Sequence, residues 1–354
     1  MSDNANLSDT LCVGQARRFL VVKVAKSAAL SYPFGMLDSA DSPGIPAVAP
    51  VSPAPLPAWA RPAKPPETEA EAAFLAGAAL ARLDAIVRAD PPWFGVWRQR
   101  LALGAAAASV ARSGRGEDEP ALRDVFHLTR PGADPGPAGR RLVAWRALTA
   151  ASPARWRAQF ECAAQALGIP SDEALNAAIE AAATCADANR MAPFAAARCY
   201  QLARRALAAG RVGAGEGELL ATWLADTVFA LKLKWPFALP LLGATRRAAG
   251  QRSAGEGEAM QGLLFGYARG AAQAADLAAE FSRRAHKLAE AAPKLRAKGA
   301  GAALQALLHE DSLSAVGKLS GLSERGARRL FERLVALGAV RELTGRATFR
   351  LYGL

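Results

Sequence analysis

Strand-forming side chains are scarce in this chain. Tyrosine occurs four times and aromatics make up only 7% of the 354 residues, while much of the 51% hydrophobic fraction is alanine. Alanine favours helix and close packing, so an extensive sheet is excluded. Cysteine is equally thin. Cys12, Cys162, Cys185 and Cys199 are unevenly spaced and form no C-x-x-C pair, which argues against a disulfide framework or zinc site and for buried thiols in a reducing cytosol. The three histidines, His127, His286 and His309, lie far apart, and no two are spaced to make a metal helix.

Chemistry-bearing motifs are missing as well. There is no G-x-S-x-G, and the Gly-Lys at Gly317 lacks the rest of a phosphate loop. "GRVGAGEGE" follows no strand, and its two glutamates would repel a phosphate. Arg17 and Arg18 precede an apolar stretch without the intervening residue that a twin-arginine signal needs, and Lys23 and Lys26 interrupt that stretch. No uncharged apolar run approaches the roughly 20 residues of a spanning helix. No catalytic residue, cofactor, metal or membrane association is expected, and the expected location is cytoplasmic.

What the chain has in excess is positive charge, a formal +12. Such a field attracts polyanions, nucleic acid foremost. Coding sequence rich in G and C also favours arginine and alanine, so charge alone leaves the partner open.

Residues 43–66 hold nine prolines in 24 positions. Proline lacks the N–H that helix and sheet use, so this stretch reads as an extended linker and residues 1–42 as a disordered tail. From 67 to 293 the pattern is an all-α, multi-helical bundle. Thr68 and Glu71 have capping-box spacing. Apolar periodicity, broken by Gly, Pro and Asp clusters, predicts helices at 68–89, 93–112, 118–128, 137–150, 153–167, 171–187, 193–209, 217–234 and 256–291.

Residues 294–354 change character and predict a small winged helix-turn-helix, three helices plus a β-hairpin wing. Leu304, Leu307 and Leu308 share one helical face, and a second short helix from Leu313 to Ser320 turns Val316 and Leu319 inward. Ser323 caps a third helix on which Ala327, Leu330, Phe331, Leu334 and Leu337 fall at helical spacing. Gly317, Gly321, Leu322, Ala327 and Leu330 match the positions such a unit needs around its turn. At 100° per residue, Arg325, Arg328, Arg329 and Arg333 occupy the opposite face, shared with Glu332. Beyond, Thr344-Gly345 is a turn, with Ala347, Phe349 and Leu351 alternating against Arg346, Thr348 and Arg350. Between Arg296 and Leu354, ten Lys or Arg stand against five acids. Upstream, Lys294, Arg296 and Lys298 read either as a phosphate clamp or as a soluble joint.

Two further clusters carry bland and sharp readings. Glu117, Asp118, Glu119, Arg123, Asp124 and His127 suit a helix start, where acids satisfy N–H groups and Glu119 pairs with Arg123; the sharper reading makes Asp118, Asp124 and His127 an acid/base or metal cluster. Trp93, Phe94, Trp97, Trp223, Phe229, Trp235 and Phe237 read as core rather than as a ligand cage, with Arg98 and Arg100 placed to pair with the acidic cluster.

Several stretches, among them "RADPPWFGVWRQRLALGAAAASVARSGRGEDEPALRD", "LADTVFALKLKWPFALPLL" and "ARRLFERLVALGAVRELTGRATFRLYGL", closely resemble a bacterial family known as domain of unknown function 1403, from about Pro57 to Leu354. The resemblance implies no activity, substrate or catalytic residue. The residues themselves favour a DNA-binding regulator or replicon-associated protein. In that reading Arg325, Arg328, Arg329, Arg333, Arg346 and Lys318 meet double-stranded DNA, and the helical body forms a homodimer or receives a protein partner. The alternative is a non-enzymatic adaptor whose winged helix docks another protein.

Overall fold

The computed structural model describes residues 55–150, 152–245, 256–295, 299–316, 322–346 and 348–354. The expected tail, the first half of the proline-rich stretch, and Arg296, Lys298, Gly317, Lys318, Leu319, Gly321 and Ala347 lie outside the described residues.

In chain order the helices are α1 (Glu69–Arg88), α2 (Phe94–Arg112), α3 (Glu119–Leu128), α4 (Gly136–Ala150), α5 (Trp156–Ala166), α6 (Glu173–Asp187), α7 (Ala192–Ala209), α8 (Ala214–Leu233), α9 (Leu241–Ala244), α10 (Glu256–Ala291), α11 (Ala300–His309) and α12 (Glu324–Ala336). Three short strands, β1 (Leu313–Ser314), β2 (Arg341–Glu342) and β3 (Leu351–Gly353), and three 3-10 turns, Ala58–Ala60, Pro153–Arg155 and Ala292–Lys294, complete the elements among the described residues. Each helix expected between residues 68 and 291 is present, its ends displaced by three residues or fewer. Local chemistry explains this. Thr68 Oγ1 accepts from the Glu71 N–H at 3.2 Å while the Glu71 carboxylate accepts from the Glu67 N–H at 2.8 Å, a capping box closed one residue early. Asp118, Asp172 and Ser323 cap α3, α6 and α12 in the same way. No helix among the described residues is long and apolar enough to cross a membrane.

The chain divides into two compact units, one spanning Ala105–Gly243 and the other joining the described part of Ser42–Gly104 to Ala244–Leu354. In the first, α8 is the central helix, buried on every side from Leu219 to Ala230, the signature of a helix enclosed by others. Trp223 Nε1 donates to Ala144 O at 3.1 Å, and Phe160 packs on the Trp223 ring. Asp226, 1% exposed, accepts from Leu242 N and Gly243 N at 3.1 and 3.3 Å. That carboxylate explains the short α9, which periodicity does not predict.

In the second unit, α1 packs along α10. Ala72, Ala76 and Ala79 of α1 and Ala268, Ala271, Ala275 and Ala278 of α10 are buried, and such small side chains let two helix axes approach closely. Asp276 receives Arg82 and Arg61, each at 3.1 Å. Leu56 and Ala60 are buried and Gln261 donates to Pro66 O at 2.7 Å, so the end of the proline-rich stretch is packed. Trp97 of α2 donates to Ala274 O at 3.0 Å. All seven aromatics read as core are buried.

The sheet has the order β1-β3-β2, with both outer strands antiparallel to β3. Leu313 faces Tyr352, and Arg341 faces Gly353. Here one expectation is corrected. Leu313 and Ser314 begin no helix; their backbone pairs with β3. Val316, expected inward, is 43% exposed.

Candidate nucleic-acid interface

The apolar side of α12 consists of Ala327, Leu330, Phe331 and Leu334, all buried. Arg325, Arg328, Arg329 and Arg333 are exposed on the other side together with Glu324 and Glu332. Among the described residues, none of these four guanidinium groups has an ion-pair partner. Ser323 Oγ accepts from the Gly326 N–H at 3.2 Å and fixes where the helix starts, hence which residues face out.

One long-range contact holds the helix in place, and a second anchors the chain around the strand it packs on. Phe331 stacks on Tyr352 of β3, ring centroids 4.5 Å apart. Beneath β3, Asp311 is wholly buried and accepts from Arg100 Nε, while Arg100 Nη2 donates to Leu354 O at 3.3 Å and the same guanidinium lies over the Phe281 ring. The backbone runs so close here that a Cβ at Gly353 would fall 2.6 Å from Asp311 O. Arg100 therefore serves this buried carboxylate rather than the acidic cluster near residue 120.

The β2–β3 hairpin closes through Leu343 N to Leu351 O at 2.7 Å and Leu351 N to Thr344 Oγ1 at 3.2 Å, with Gly345 at φ +61°. A positive φ of that kind suits glycine. Arg346, Thr348 and Arg350 are exposed, Phe349 is half-buried and Leu351 is buried, but the paired strand begins only at Leu351, and Arg346, Thr348, Phe349 and Arg350, expected in it, lie in the connecting loop. Arg350 sits 3.8 Å from Glu342 and donates to Arg346 O at 3.2 Å. At the foot of the hairpin, Arg341 pairs with Glu280 of α10 at 3.0 Å, and Glu280 also receives Arg284. Lys318 lies outside the described residues.

The acidic cluster has ordinary structural work. Asp118 accepts from Ala121 N at 3.0 Å as the α3 cap, Glu119 pairs with Arg123 at 3.3 Å, and Arg115 holds the Glu117 carboxyl below its usual range by a direct hydrogen bond. Among the described residues, no group of three or more His, Cys, Asp or Glu side chains could hold a metal ion.

Two perturbed sites escaped the sequence reading. The Cys185 thiol of α6 is hydrogen-bonded to Cys199 of α7, which draws it down to about 7, while complete burial pushes Cys199 up. His309, at the end of α11, lies against Gly95 of α2, where an added Cβ would meet His309 Cα at 2.5 Å. Burial, and then the charge of Arg98, lower its pKa. Neither pairing is encoded in local spacing, since each joins separate helices.

Comparison with sequence families places these features in one context. The profile of a family described as Protein of unknown function (DUF1403) matches residues 49–354. The chain belongs to this family. The DUF1403 match takes in every described residue, so both compact units and the arginine-bearing terminal segment are family structure rather than additions to it. Comparison with curated proteins finds no match.

Proposed function

We propose that residues 294–354 form a winged helix that binds double-stranded DNA, with α12 as the recognition helix and the β2–β3 hairpin as the wing. The observation carrying this reading is the row Arg325, Arg328, Arg329 and Arg333, exposed on α12 with no ion-pair partner among the described residues. Four such charges on one rigid element cost electrostatic energy unless a polyanion meets them. The order α11, β1, α12, β2, β3, with β3 between the other strands, supports the winged-helix assignment. Arg346 reaches the backbone from the wing, and Lys318 joins the set on sequence grounds. The helical body forms a homodimer or receives a partner, because two half-sites related by symmetry supply specificity that one helix does not. The protein then acts as a cytoplasmic regulator or replicon-associated factor.

The test is binding of the full chain to duplex DNA across a salt series. Each phosphate neutralised contributes about −0.9 to the slope of log affinity against log salt. Replacing Arg325, Arg328, Arg329 and Arg333 together by alanine should make that slope shallower by up to about 3.6. Equal binding by the fourfold variant sinks the reading.

Glu324 and Glu332 on the same face favour a second reading. A mixed-charge surface suits a protein partner, and capture of such a partner that survives nuclease treatment would point to an adaptor.

A further inference from the structure

Glu280, Arg283, Arg284 and Lys287 fall at i, i+3, i+4 and i+7, and so share one face of α10. They line a shallow pocket of about 250 Å³. The single acid of the four is already committed, its carboxylate accepting from Arg284 and, at 3.0 Å, from Arg341 at the foot of the hairpin. Arg283 and Lys287 have no ion-pair partner among the described residues, and both are exposed. Like charges at i, i+4 repel one another by a few tenths of a kcal/mol on an isolated helix. Here they converge on a concavity with Arg284 and Arg341 beside them, four cations to one acid.

From this arrangement we infer that the α10 pocket is an oxyanion site that takes a phosphate group. Arg284 and Arg341 are oriented by Glu280, and their remaining N–H groups, with Arg283 and Lys287, are the donors. The concavity is open to solvent and large enough for a phosphate group to enter. Resting on the reading of the terminal segment as DNA-binding, the natural source is a backbone phosphate of the same duplex, met at the root of the hairpin; free phosphate is the other source of the same chemistry.

The experiment uses the full chain and the double variant Arg283→Ala/Lys287→Ala, which removes only exposed groups outside any ion pair. Thermal unfolding in inorganic phosphate, against chloride at equal ionic strength, reads the pocket alone. Duplex binding across a salt series reads its use by DNA. Expected are a phosphate-dependent rise in melting temperature that the variant loses, and a duplex salt slope shallower by about 1.8 for two lost phosphate contacts. Phosphate stabilisation lost in the variant with duplex binding unchanged would assign the site to free phosphate. No phosphate-specific stabilisation of the wild type, together with an unchanged duplex slope in the variant, overturns the inference. The fourfold α12 variant separates the two ideas. Its full binding alongside weakened binding by the α10 variant removes the recognition helix and keeps the pocket, and the opposite result does the reverse.

Discussion

Phe331 and Tyr352 lie face to face, 4.5 Å between ring centroids and 1° from parallel. This stack joins the arginine-bearing helix to the central strand, so the outward face of α12 depends on an inward contact. Truncating a buried Phe to Ala costs about 3–5 kcal/mol. Phe331→Ala should therefore lower the urea midpoint by a corresponding amount, whereas Arg328→Ala, at an exposed position, should change stability by no more than about 0.5 kcal/mol. Equal losses for the two would contradict the division between buried and binding faces.

Asp311 has no exposed surface, and Arg100 balances its charge. Removing one member of a buried pair leaves the other uncompensated and costs about 3–5 kcal/mol, whereas replacing both by apolar residues is often nearly neutral. Asp311→Leu should destabilise strongly, and Arg100→Leu combined with it should recover much of the loss. A double-mutant cycle in chemical denaturation measures the coupling. Additive effects would mean that the two charges are independently solvated.

His309 gives the fold a pH dependence with a defined sign. Burial against α2 lowers its pKa from an ordinary value of 6.5, so as pH falls the unfolded chain takes up a proton that the folded chain resists. Its contribution is complete above pH 6.5 and is lost as pH drops below that value towards the depressed folded pKa. The wild type should lose stability as pH falls below about 6.5, and His309→Asn should show a flatter profile over the same range. Parallel profiles would assign the acid sensitivity elsewhere.

The Cys185 thiol titrates at about 7 because Cys199 hydrogen-bonds to it. Cys199→Ala deletes that partner, and the Cys185 titration, followed by ultraviolet thiolate absorbance, should move up towards 9.0, the ordinary thiol value. An unmoved midpoint would mean that neighbouring arginines, rather than the second thiol, set the ionisation.

Helix positions were legible because their causes are local. Pro, Gly and Asp clusters end helices, and Thr68, Asp118 and Ser323 start them through bonds to residues three positions away. The outward placement of the α12 arginines follows from helical period alone. The strand at Leu313–Ser314 was misread as helix because its stability comes from Leu351 and Tyr352, far along the chain. The same limit hid the pairing of Arg100 with Asp311, 211 residues apart, and of Arg341 with Glu280, 61 apart. Local spacing offers Arg100 the acids near residue 120, and the structure gives it instead a carboxylate with no access to water.

The pairing of α1 with α10 also bears on how the molecule is made. Arg82 meets Asp276, 194 residues downstream, so at about 5–20 residues per second of ribosomal synthesis the nascent α1 waits roughly 10–40 s for its neighbour. During that interval the Ala105–Gly243 unit emerges whole and can complete its own core, while Leu83 and Ile86 stand uncovered. A chaperone that recognises short apolar helices would find its substrate there.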